Sequence, residues 1–82
     1  MTNPRDRWLE ARGGLTGLLE TLRPSLDENT LKLVQEFVAN REFGIALEWL
    51  YSIVLERKIA LSAQQSKDFK ELAKLMEMDL PG

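Results

Sequence analysis

Three observations predict an all-α fold for this chain, a compact bundle of four to five helices. Apolar residues recur at helical spacing, as in Leu15, Leu18, Leu19 and Leu22, and again in Phe69, Leu72, Ala73 and Met76. Start and stop signals cut that pattern into short segments. No stretch shows sustained period-two alternation between turn residues, so strands are not expected.

The first segment starts at Asn3-Pro4, with Asn3 placed as an N-cap and Pro4 at the first helical position. Its apolar face is Trp8, Leu9, Leu15, Leu18, Leu19 and Leu22. Gly13, Gly14 and Gly17 interrupt it, and each costs roughly 1 kcal/mol relative to Ala in a helix interior. A kink or a break near Gly13-Gly14 is therefore expected, with close approach of another helix as the alternative. Trp8 is expected to pack this segment onto the bundle.

Arg23-Pro24 ends the first segment, because the residue before Pro is pushed out of the helical region. Ser25 with Glu28 has the form of a capping box, and Asp27 is an equally good N-cap. The second helix then runs to about Ala39, with Leu31, Val34, Phe37 and Val38 on one face and Leu33 to the side. Asn40 is a plausible stop. The connection to the next helix is short, so helices two and three should be antiparallel neighbours.

Helix three, from near Glu42 to Arg57-Lys58, is apolar around most of its circumference. Ala46, Leu47, Leu50, Ile53, Val54 and Leu55 are its expected core face, and Ile45, Trp49 and Tyr51 spread apolar area beyond it. Glu48, Ser52 and Glu56, spaced by four, form its one continuous polar line. A helix this apolar must be covered on several sides. In a short chain the cover comes from the other helices, a second copy or a partner. The fourth helix opens with Ser62 and Gln65, a second capping-box match. Lys67, Lys70, Lys74 and Glu71 fall on its outer faces, with Glu71 and Lys74 as an i,i+3 pair, and Leu80-Pro81-Gly82 closes the chain.

At 82 residues the chain is expected to form one domain, 1–82, near the size where a single core is marginal. It has no Cys, which excludes disulfides and thiolate metal sites. It has no His, so a Ser or Cys triad lacks a base and the commonest metal ligand is missing. There is no EF-hand or helical Glu-His motif, and Gly13-Gly14-x-x-Gly17 lacks the strand and Lys of a phosphate loop. We expect no enzyme, no cofactor and no metal. No segment reads as a signal peptide, and the apolar run Trp49–Leu55 is far shorter than the roughly 20 residues of a membrane span. The expected location is cytoplasmic, with no membrane contact.

The net charge of −2 conceals an asymmetry. Residues 25–56 hold Asp27, Glu28, Glu36, Glu42, Glu48 and Glu56 against Lys32 and Arg41, a net of −4, while residues 1–24 and 57–82 are each +1. An acidic centre suits a basic partner and not a phosphate backbone. The same charges also suit ordinary solvated helix faces. Lys67, Lys70 and Lys74 form a basic stripe, but Asp68 and Glu71 dilute it and no aromatics interleave, so direct nucleic-acid binding is not expected. Trp49 and Tyr51 flank the polar line. They are either packed aromatics with polar tips at the surface or anchors of recognition.

Residues 37–50, FVANREFGIALEWL, with Glu56 and Ile59-Ala60-Leu61-Ser62 after them, resemble a known pattern. The segment is similar to small bacterial immunity proteins of the MafI family and other contact-dependent-inhibition immunity proteins. Those show an apolar helix, a short turn with Glu and Gly, an Ala-Leu-Glu-x-Leu helix and a final Ser-capped helix. The chain departs at Asn40-Arg41, where a Gly is expected in the turn. The resemblance implies a bacterial cytoplasmic antidote that binds a cognate toxin domain, often a nuclease, and blocks its active site. The expected partner surface is Glu36, Glu42, Glu48, Trp49, Tyr51, Ser52 and Glu56. A homodimeric helical adaptor or regulatory subunit without a toxin partner is the alternative.

Overall fold

The computed structural model describes residues 4–80. It contains four helices, α1 (Pro4–Leu22), α2 (Glu28–Ala39), α3 (Phe43–Glu56) and α4 (Ala63–Leu75), with a short 3-10 turn at Arg23–Ser25. There is no strand among the described residues, and the all-α expectation holds. The proposed Asn3 cap and the Pro81-Gly82 end lie outside the described residues.

The helices pair antiparallel in two layers. At one end of α1 the Arg7 Nε–H donates to the Leu75 carbonyl (2.8 Å) and its guanidinium meets Glu77 (3.5 Å). At the other end Gln65 Nε2 donates to Thr21 Oγ1 (3.1 Å). The start of α1 thus lies by the end of α4, and the reverse. The tight turn joins the end of α2 to the start of α3, while Arg57, at the C-cap of α3, reaches Asp27, the N-cap of α2 (3.3 Å). The core between the layers holds Leu15, Leu18 and Leu22 of α1, Val34 of α2, Ala46, Leu47, Leu50 and Val54 of α3, and Phe69 of α4. At about 25 cal/mol per Å² of apolar area, this burial is the main favourable term for so short a chain.

α1 runs unbroken through its glycines, against the expected break. Close approach explains one of them: a β-carbon on Gly14 would lie 2.6 Å from Leu72 Cδ2 on α4. Gly13 and Gly17 face open space. Packing of the leucine face of α1 outweighs the propensity cost of three glycines. Gly13→Ala and Gly17→Ala are each expected to stabilise the fold by about 0.5–1 kcal/mol, read as a higher urea midpoint at unchanged slope. Gly14→Ala must displace the buried Leu72 and is expected to forfeit that gain.

Asp27, not Ser25, is the N-cap of α2, and it accepts from the Thr30 backbone N–H (3.2 Å). Ser25 is taken up by the 3-10 turn. Hydrogen bonding from the Thr30 side chain, then from Arg57 and the Thr30 backbone, holds the Asp27 carboxyl below its ordinary value. A depressed carboxylate stabilises the fold above its unfolded pKa of about 3.9 and loses that contribution as pH falls through the folded value. Urea unfolding of the wild type and of Asp27→Asn is therefore expected to differ at pH 7, with the gap closing as pH drops below 4.

The capping box at α4 forms as the sequence predicts: Gln65 N–H donates to Ser62 Oγ (3.0 Å), and Ser62 N–H to Gln65 Oε1 (2.9 Å). Glu71 pairs with Lys67 (3.9 Å) and not, as expected, with Lys74.

Helices α2, α3 and α4 all end in the same motif. The N–H groups of Glu42, Ile59 and Met78 reach back to the carbonyls of Phe37, Val54 and Ala73. The residue before each, Arg41, Lys58 and Glu77, takes a left-handed backbone with φ of 63°, 51° and 53°. Glycine is the usual occupant of that position. At Arg41 the guanidinium lies over the Trp8 ring (5.0 Å to its centroid), a contact that offsets part of the backbone cost. Trp8 meets Phe43 edge-on (5.5 Å), so it docks α1 on α3 as expected.

Candidate functional site: the solvent face of helix α3

α3 sits between its neighbours with its Phe43, Ala46, Leu47, Leu50 and Val54 side fully buried. The opposite side is left to solvent, and residues four apart line up along it in three adjacent rows. The middle row is Glu48, Ser52 and Glu56, all exposed. One flanking row is Ile45, Trp49 and Ile53; the other is Tyr51 and Leu55.

Two of the expected core residues belong to this surface instead. Leu55 is 47% exposed, and Ile53 is only half-buried. Leu55 lies about 100° round the helix from Val54, beyond the reach of any packed helix. Leu9, assigned to the face of α1, is likewise exposed. Ile45 is 49% exposed and Trp49 43%, on a helix whose other side is core.

The two candidate aromatics have different settings. Tyr51 is half-buried and edge-on to Phe69 of α4 (5.0 Å), so it serves packing. Trp49 touches Phe37 of α2 edge-on at the longer distance of 6.4 Å and leaves much of its indole in water. Of the candidate acids, Glu48 and Glu56 share the middle row. Glu42 precedes Ile45 by three residues at the start of α3, and Glu36 is exposed on α2 beside Phe37 in the chain. Among the described residues none of these four carboxylates is in an ion pair; the ion pairs there join Arg7, Arg23, Arg57 and Lys67 to Glu77, Glu20, Asp27 and Glu71. α3 contains no Lys or Arg, so nothing on the helix itself neutralises its glutamates.

Ile45 and Leu55 were absent from the expected partner surface. The signal for Ile45 was available: it sits one helical turn before Trp49. Leu55 gave none, because its apolar character also fits a core position.

A groove between α1 and α4 is floored by Gly13, Gly14, Gly17, Leu18 and Leu72 and rimmed by Glu10, Asp68, Glu71 and Lys74. Its charges are mixed and it holds no convergent set of reactive groups. Among the described residues no group of three or more His, Cys, Asp or Glu is placed to hold a metal ion. No helix of the described residues is long and apolar enough to cross a membrane. Comparison with known proteins finds no matching family model, no similar curated protein and no similar solved structure.

Proposed function

We propose that this chain is a binding protein that acts by stoichiometric capture of a partner: a bacterial immunity protein that holds a cognate toxin domain, most plainly a nuclease, and covers its active site. The observation that carries this reading is the solvent face of α3, where an exposed Trp49 stands beside a row of unpaired carboxylates. Exposed apolar side chains gathered on one face favour an interaction surface, and here Ile45, Trp49 and Leu55 flank the charged row on both sides. Trp is among the residues most enriched at energetic hot spots. An acidic surface complements the basic cleft that a nuclease needs for its polyanionic substrate. The resemblance of residues 37–62 to immunity proteins supplies the partner class. In this reading the chain works in the cytoplasm, has no catalytic residues and needs no cofactor.

Affinity capture of the tagged chain from its own cells, followed by assay of the recovered partner, tests this. The proposal expects a toxin domain whose activity falls to zero at one equivalent of chain. Recovery of the chain alone, as a stable oligomer, would favour a homodimeric adaptor. Glu48→Lys with Glu56→Lys is expected to reduce the rate of association with the toxin and its salt sensitivity, without unfolding the chain, because both side chains are exposed. Stopped-flow rates at two ionic strengths measure that effect.

A further inference from the structure

The rows on α3 restrict what can cover it. Two copies of the chain meeting through α3 would bring like charges together. An antiparallel crossing centred on Ser52 sets Glu48 against Glu56 of the second copy, and a parallel crossing sets each glutamate against its counterpart. With no Lys or Arg on α3 to relieve it, that contact is repulsive in either direction. The apolar rows on either side leave Ile45, Trp49 and Leu55 each nearly half exposed. Rows of residues spaced by four form the ridges and grooves that receive another helix.

We infer that the solvent face of α3 docks a basic amphipathic helix of a partner protein. Its Lys or Arg line lies along Glu48, Ser52 and Glu56, and its apolar side chains press on Trp49 and Ile45 to one side and Leu55 to the other. This deepens the binding-protein reading and rests on it, naming the element of the partner that is held. Apolar anchors supply most of the affinity, and the carboxylate row supplies orientation and selects against acidic helices and against self-association. The attraction is screened by salt, since exposed charges lose most of their mutual interaction beyond about 10 Å at 0.1 M.

The test uses the full chain and two fluorescein-labelled 18-residue helical peptides, one of Leu and Lys at amphipathic spacing and one with Glu replacing every Lys. Anisotropy titration is expected to show saturable one-to-one binding of the Lys peptide, weakening with salt, and none of the Glu peptide. Glu48→Gln with Glu56→Gln is expected to weaken the Lys peptide about tenfold or more, and Trp49→Ala about 30-fold. Glu20→Gln, an exposed carboxylate on α1, is expected to leave binding unchanged. Circular dichroism of each variant confirms that it is folded. Binding of the Lys peptide that is absent, or unaffected by the α3 variants, would overturn the inference, as would a wild-type dimer in sedimentation at neutral pH that Trp49→Ala dissolves. A toxin captured from cells alongside failure of the peptide test would retain the binding function and reject this mode of docking. Success with the peptide but no captured toxin would retain this mode of docking and reject a toxin as the partner.

Discussion

Phe69→Ala is expected to lower the unfolding free energy by about 3–5 kcal/mol. Phe69 is among the largest fully buried side chains, on α4, and its ring meets Tyr51 of α3 at 5.0 Å. Truncation would leave a cavity between the two helices, because Tyr51 is held by its own helix and cannot follow. A domain of 82 residues has a total stability of order 4–12 kcal/mol, so the loss is a large share of the whole. Urea unfolding followed by far-ultraviolet circular dichroism measures it. A loss below 1 kcal/mol would mean that α4 is not packed on α3 as described.

Trp49→Ala is expected to have the opposite profile. Its stability cost is expected to fall well below that of Phe69→Ala, because the indole is 43% exposed and meets Phe37 only edge-on, whereas Phe69 is fully buried. Its cost in partner affinity is expected to reach about 2–4 kcal/mol, roughly 30- to 1,000-fold in Kd. The contrast with Phe69 separates a residue that holds the fold from one that waits for a partner. Calorimetric titration of the captured partner with wild type and variant, beside urea curves of both, reads the two quantities independently. A variant that loses stability and keeps affinity would return Trp49 to the core.

The helices were legible in the sequence where local chemistry decides them. The Ser62-Gln65 box acts within one turn of chain and works as the residues alone predict; at Pro24 the α-helix stops at Leu22 as expected, but Arg23 stays helical, in a 3-10 turn that runs through the proline. Gly13-Gly14 misled because propensity is a local quantity, whereas the continuity of α1 comes from its leucine face packing on three other helices. The ends of α2, α3 and α4 were harder to read for a different reason. Arg41, Lys58 and Glu77 hold the left-handed positions where a glycine would have announced the stop. At the α2–α3 turn Arg41 takes the left-handed backbone that a Gly would adopt more cheaply.

The candidate site divides in the same way. The Glu48, Ser52 and Glu56 row is pure helical periodicity, and it is exposed as expected. Which flanking aromatic faces water depends on where α4 lies, and only the packed structure gives that. Tyr51 falls on the α4 side and packs on Phe69, while Trp49 falls toward α2 and is left partly open. Leu55 shows the limit of hydrophobicity as a guide to burial, since an apolar residue at the end of a helix is core only if something lies over it.

The two tryptophans make the central claim directly measurable. Each indole N–H gives its own signal in a nitrogen–proton correlation spectrum, assigned with Trp8→Phe and Trp49→Phe. Titration with the partner captured from cells is expected to shift the Trp49 indole and the backbone signals of Ile45, Glu48, Ser52 and Leu55. Trp8, enclosed by Phe43 and Arg41, is expected to stay in place. Shifts that spare Trp49 and gather along the α1–α4 groove would contradict the account.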